Sequence, residues 1–171
     1  MAGNRVLLWR HGQTDWNMVN RFQGHSDIPL NDVGRYQAQH AAEILAGMNP
    51  TAIISSDLSR AYETAKALAN LTGLTISTDE KLRETNGGLW EGKTGLENRA
   101  EDFQNFIRWI DGDDNPAGTT GEKRSEVAAR AVGVINNALS GKSDQLLVVA
   151  THGGTARCVL GYLLQLPLTH W

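Results

Sequence analysis

The chain of 171 residues has a single cysteine, Cys158. That excludes an intramolecular disulfide framework and a cysteine-based zinc cluster. Cys158 itself reads as a small buried hydrophobe in a helix. An excess of positive charge is also missing, since 16 Lys and Arg stand against 19 Asp and Glu, for a formal net charge of −3. No nucleic-acid partner is expected from that balance, although a few focused arginines still bind anionic substrates in a mildly acidic protein. No apolar run approaches the ~20 residues that a membrane helix needs, and the first residues show no signal-peptide pattern. A soluble cytoplasmic protein without a membrane partner is therefore expected. Repeats, low-complexity tracts and a domain linker are absent too. With 40% hydrophobic and 20% charged residues, the chain can bury one core, as a single domain over 1–171.

What is present alternates between strand-like and helix-like segments. Arg5 to Trp9 reads as a short buried strand, followed by a polar loop to about Pro29. Asn31 can cap a helix to about Met48, with Val33, Tyr36, Ala41, Ile44 and Leu45 near helical spacing. Ala52 to Ser55 is a second strand. Asp57 or Ser59 can cap the next helix, buried through Ala61, Ala65, Leu68 and Leu71 and stopped by Gly73. Leu74 to Thr78 leans to β, and Leu82 to Gly95 is glycine-punctuated and irregular. A helix over about 97–110, a loop to Gly121 and a helix over about 122–139 follow. Gln145 to Thr151 is the clearest strand, with a helix behind it over about 154–164. This alternation predicts an α/β fold of three α/β/α layers around a mainly parallel central sheet.

Two histidine–glycine pairs stand directly behind apolar runs: Arg10-His11-Gly12 and His152-Gly153. Strand ends of an open sheet are where such folds build active sites. His11 beside Arg10 fits a nucleophile, a base or a metal ligand, and equally a loop histidine. Thr151-His152-Gly153-Gly154 opens a helix whose free N–H groups favour an anion, or forms a structural glycine turn. Arg60 falls in the first turn of a helix, where a cation is disfavoured unless an anion binds there or Glu63 pairs with it. Glu84, within LRETNGGLWEG, suits a proton donor or a solvated loop carboxylate. The histidines at 11, 25, 40, 152 and 170 lack the close pairing of a helical zinc motif, so no metal site is expected. GGLWEGKT at 87–94 spells a phosphate loop. The polar TDEKLRETN before it cannot be a central strand, however, and Trp90 and Glu91 suit an anion cradle poorly.

Taken in order, LLWRHGQTDWN, SSDLSRAYETA, LRETNGGLWEG and VATHGG resemble the histidine phosphatase superfamily, the phosphoglycerate mutase-like proteins, over essentially the whole chain. The resemblance implies His11 as a nucleophile forming phosphohistidine and Glu84 as general acid. It implies Arg10, Arg60 and His152 as a phosphate pocket supported by Asn17. The chemistry is consistent with that carry-over, because preorganised cations and amide donors stabilise a phosphoryl group in flight. The nucleophilic imidazole must be neutral, a form that two nearby arginines favour. Glu84 must hold a proton for the leaving alkoxide, which partial burial would assist. The arginines stand where a metal would, so no cofactor is required. A short segment between Gly92 and Glu122 favours a phosphatase over a cofactor-dependent phosphoglycerate mutase. A non-catalytic phospho-ligand binding module is the other alternative, though it would not need Glu84.

RHGQTDWN, FQGHSDIPLNDVGR and LPLTHW are most similar to actinobacterial glucosyl-3-phosphoglycerate phosphatases. That similarity implies a small phosphorylated substrate, a sugar or glycerate phosphate, and a homodimer. It sets Gln23, Gly24 and Gly153 beside the substrate, with the loop leading to Gly121 and Glu122. Family members usually add a strand after the helix that follows the second histidine. A chain stopping at Trp171 is thus expected to lack that strand and leave a sheet edge unpaired.

Overall fold

The computed structural model describes residues 3–171. The chain runs through β1 (Arg5–Arg10), α1 (Asp15–Met18), α2 (Asp32–Ala46), β2 (Ala52–Ser55), α3 (Ser59–Thr72) and β3 (Ile76–Thr78). It continues through α4 (Gly95–Glu101), α5 (Phe103–Ile110), α6 (Arg124–Leu139), β4 (Leu146–Thr151) and α7 (Gly153–Leu163). All strand pairings are parallel, in the order β1-β4-β2-β3.

Strand β4 is buried at every residue, because strands flank it on both sides and helices cover both faces. Its successive residues serve opposite layers. Leu147 and Val149 pack with Val132, Val134 and Ile135 of α6 and Val159 of α7. Val148 and Ala150 pack with Ala42 and Leu45 of α2 and with Ala65 and Leu68 of α3. These two interfaces make the expected three-layer α/β/α arrangement. Among the described residues no helix is long and apolar enough to cross a membrane.

Several local expectations change. Asn31 does cap α2, accepting the Gly34 N–H at 2.9 Å. The inward stripe of that helix is Gly34, Ala38, Ala42 and Leu45, while Val33, Tyr36 and Ile44 are exposed. At Gly34 the reason is that backbone meets backbone. A Cβ on Gly12 would overlap the Gly34 carbonyl, and one on Gly34 would overlap Gln13, so the loop behind β1 lies directly on the first turn of α2.

Neither Asp57 nor Ser59 caps α3. The Ser59 N–H and hydroxyl donate to Asp27 Oδ1 at 2.8 and 2.7 Å, and Asp57 pairs with Arg83 instead. Leu71 is exposed near the end of that helix. The segment read as one helix over 97–110 is two, α4 and α5, broken at Asp102. The Asp102 carboxylate accepts from Trp90 Nε1 at 3.3 Å and Asn105 Nδ2 at 3.1 Å. The loop behind β1 contains α1, closed by a Thr14–Asn17 capping box.

Candidate active site

Strand register builds the centre of the site. Arg10 lies opposite Thr151 across the β1–β4 ladder, so the next residues, His11 and His152, leave the sheet side by side. Their rings stand edge to face, 5.1 Å between centroids. Strand β2 flanks β4 on the other side, with Ser55 opposite Ala150. Ser56 follows, and its Oγ lies 2.9 Å from His152 Nε2.

His11 Nδ1 is 2.7 Å from the Gly12 carbonyl oxygen. A carbonyl only accepts, so Nδ1 carries the proton and Nε2 keeps its lone pair. Burial, above all, lowers the His11 pKa to about 4. The charges of Arg60 and Arg10 act in the same direction, against the Gly12 bond, which raises it. Burial is thus a larger cause than the arginines that sequence reasoning invoked. The His152 imidazole is held well below the ordinary histidine range, first by burial and then by Arg60.

Arg60 is fully buried in the first turn of α3. Its Nη1 and Nη2 donate to the carbonyls of Ser26 and Gly24, each at 2.8 Å. Glu63, the alternative partner, sits 3.6 Å from Arg35 instead. Burial lowers the Arg60 pKa while Glu84, Asp27 and Glu91 oppose that shift, and a guanidinium stays charged through any ordinary pH. Among the described residues, Arg60 Nε and His152 Nδ1 are both buried without a hydrogen-bond partner. Such orphans are rare in folded proteins.

Glu84 reaches the N-terminus of α7. Its Oε2 accepts the Gly154 N–H at 3.0 Å, and its Oε1 accepts those of Thr155 and Thr85 at 3.0 and 2.9 Å. Arg10, His11, Asn17, Gln23, Arg60 and Glu84 line one cleft of about 140 Å³. Asn17 Oδ1 accepts from the Thr14 N–H and hydroxyl, both at 3.0 Å. Gln23 Oε1 lies 3.0 Å from the same hydroxyl oxygen and shares its single proton with Asn17 Oδ1. Gly24 serves through the carbonyl that holds Arg60. Gly153 abuts Arg10, whose Nε lies 3.3 Å from where a Cβ would be. A larger groove of about 520 Å³, beside β2 and β3, contains none of these residues. Among the described residues, no group of three or more His, Cys, Asp or Glu side chains is placed to share a metal ion.

Sequence reasoning missed the supports. Glu91 Oε1 accepts the N–H groups of His25 and Gly87 at 2.8 and 3.0 Å, and its Oε2 accepts the Ser26 N–H at 3.0 Å. The phosphate-loop look-alike therefore clasps the loop that holds Arg60. Arg130 on α6 donates to the carbonyls of Lys81, Arg83 and Glu84 at 2.6, 2.8 and 3.0 Å and to both oxygens of Glu122. Burial would raise the Glu122 carboxyl, but Arg130 and the Asn86 N–H outweigh it and hold the group below its usual range. His25 Nε2 reaches the Glu84 carbonyl at 2.9 Å. Nothing in the local sequence marks Glu91, Arg130 or His25 as supports, since each is defined only by its contact.

Residues 6–171 match the family model described as the histidine phosphatase superfamily (branch 1). The glucosyl-3-phosphoglycerate phosphatase of Mycolicibacterium vanbaalenii is 39% identical over 178 residues, covering 100% of this chain and 79% of its own. A probable phosphoglycerate mutase of Yersinia pestis is 36% identical over 163 residues, covering 95% of this chain and 76% of its own. A solved mycobacterial glucosyl-3-phosphoglycerate phosphatase in complex with VO3 is similar at a TM-score of 0.90 and 38% identity, covering 98% of this chain and 85% of that one. By the family model and by these relatives, the chain belongs to the histidine phosphatase superfamily.

Proposed function

We propose that the chain is a phosphomonoesterase that hydrolyses a small phosphorylated metabolite through a phosphohistidine at His11. One observation carries this reading. Two buried polar atoms, Arg60 Nε and His152 Nδ1, lack partners beside an imidazole whose Nε2 is free of a proton. A bound phosphoryl group satisfies both orphans and meets that nucleophile.

In the proposed cycle His11 Nε2 attacks phosphorus while the P–O bond to the leaving alcohol breaks. Glu84 gives its proton to the departing oxygen. Arg10, Arg60, Asn17 and His152 take up the charge spread over the equatorial oxygens. Glu84, now a carboxylate, then takes a proton from a water whose oxygen attacks phosphorus. The N–P bond breaks and the lone pair returns to His11. Gln23, Gly24 and Gly153 border the part of the substrate beyond its phosphate. The names of the mycobacterial relatives favour glucosyl-3-phosphoglycerate, or a related sugar or glycerate phosphate. Cytoplasmic location and a homodimer complete the reading, and light scattering decides the second.

The test is phosphate release across glucosyl-3-phosphoglycerate, phosphoglycerates and sugar phosphates, with and without EDTA. His11→Ala is expected to lower the rate by roughly 10⁴-fold or more. Unchanged release by that variant overturns the mechanism. Isomerisation of 3-phosphoglycerate in the presence of bisphosphoglycerate, without net phosphate release, would make the protein a mutase instead.

A further inference from the structure

We propose that Ser56 is a positioning residue that fixes the tautomer of His152. Its hydroxyl donates to Nε2 and thereby leaves Nδ1–H as a neutral donor for the phosphoryl group. The phosphoryl half of this statement rests on the function proposed above, whereas the tautomer does not.

Few protons and few acceptors meet in this sealed space. Ser56 and His152 are both fully buried, and their Oγ and Nε2 atoms are 2.9 Å apart. The Leu58 backbone N–H donates to the same Oγ at 3.3 Å. The hydroxyl already accepts one backbone donor, so its own proton must go to an acceptor. The neighbouring Ser56 carbonyl accepts from Ser55 Oγ at 2.8 Å. Among the described residues, the acceptor in reach of the Ser56 hydroxyl is the lone pair of His152 Nε2. With that lone pair engaged, a neutral imidazole carries its proton on Nδ1.

The other two states are worse. With the proton on Nε2, the ring would donate to Ser56 Oγ, and the Ser56 hydroxyl proton would be stranded in a buried site. Nδ1 would then present a lone pair to an anion. An imidazolium strands the same hydroxyl proton and also sets a buried cation beside Arg60, in line with the downward shift at His152. Only the Nδ1–H form satisfies Ser56 and also gives the orphaned Nδ1 a proton to donate.

His11 and His152 then share one tautomer and show opposite faces to the site. The Gly12 carbonyl holds the proton of His11 on Nδ1 and exposes the Nε2 lone pair. The Ser56 hydroxyl occupies Nε2 of His152 and offers its N–H. One carbonyl and one hydroxyl thus sort two imidazoles 5.1 Å apart into nucleophile and donor.

The experiment is two-bond ¹⁵N–¹H NMR of the unliganded protein with ¹⁵N-labelled histidine, the His152 signals being assigned by their loss in His152→Asn. The expected wild-type pattern is the neutral Nδ1–H tautomer. In Ser56→Ala it should shift to Nε2–H or a mixture, with inorganic phosphate inhibiting about tenfold more weakly or worse. Ser56→Thr, which keeps the hydroxyl, should retain the wild-type tautomer and recover phosphate affinity. An Nε2–H or doubly protonated wild-type ring overturns the proposal, as does an unchanged tautomer in Ser56→Ala. The wild-type spectrum decides even if Ser56→Ala does not fold. Because it is recorded without substrate, its outcome is separate from whether His11→Ala abolishes hydrolysis.

Discussion

Arg130 donates to the backbone carbonyl of Glu84 at 3.0 Å, so a helix packed against the sheet grips the proposed acid by its main chain. The same guanidinium binds Lys81, Arg83 and Glu122. Glu122 Oε2 in turn accepts the Asn86 N–H at 2.8 Å. Glu84 thus sits on an irregular segment braced on both sides.

Removing the brace should misplace the acid more than it weakens binding. Arg130→Met is expected to lower kcat by roughly 10–100-fold with little change in KM. It should also destabilise by about 1–3 kcal/mol through unpaired carbonyls. Arg130→Lys should rescue poorly, because an ammonium cannot reproduce the planar fork. Steady-state kinetics and urea unfolding check both effects, and an unchanged kcat in Arg130→Met would remove the brace from the mechanism.

The depressed His11 pKa has two consequences. In activity, the acid limb that His11 contributes to kcat/KM should lie near pH 4 rather than near the ordinary histidine value of 6.5. In stability, the unfolded chain binds a proton between pH 6.5 and about 4 that the native state does not. Stability from this group is therefore full above 6.5 and lost as pH falls toward 4, on the order of 3 kcal/mol. His11→Gln removes that loss, so the advantage of wild type over variant should shrink or reverse on acidification. Urea midpoints at pH 7 and 4.5 test it; a constant difference contradicts the shift.

Gly154 separates folding from chemistry. A Cβ there would overlap Glu84 Oε1. Alanine is the better helix former by about 1 kcal/mol. Gly154→Ala should therefore fold with a melting temperature close to wild type and lose about 10–100-fold in kcat as Glu84 is displaced. Wild-type kcat in a folded variant would show that the Glu84 position is not critical.

Cys158 should be inert. It is buried in α7, and burial pushes its thiol up to about 11. A thiolate-seeking disulfide reagent at pH 8 should label it only after denaturation. Rapid labelling of the native protein would contradict that burial.

The sequence by itself carried whatever depends on neighbours along the chain. The apolar run of β4, the Asn31 cap, the Gly73 stop and the two histidines behind strands were legible, because a strand fixes where its next residue emerges. The four ordered motifs carried the family for the same reason. The inward stripe of α2 is not legible, because Val33, Tyr36 and Ile44 satisfy helical spacing as well as the buried set that starts at Gly34, the residue that the close approach of Gly12 requires. Asp27 as the distant partner of Ser59 was invisible because that contact crosses 32 positions.

Tertiary structure decided the rest. Arg130 meets Glu84 across 46 positions, and Ser56 meets His152 across 96. No local pattern encodes such pairs. Residue type and order determined which groups were available: two imidazoles, two arginines and one carboxylate. The β1–β4 register brought the imidazoles together, and burial decided their protonation, since desolvation acts only once the surrounding layers have closed.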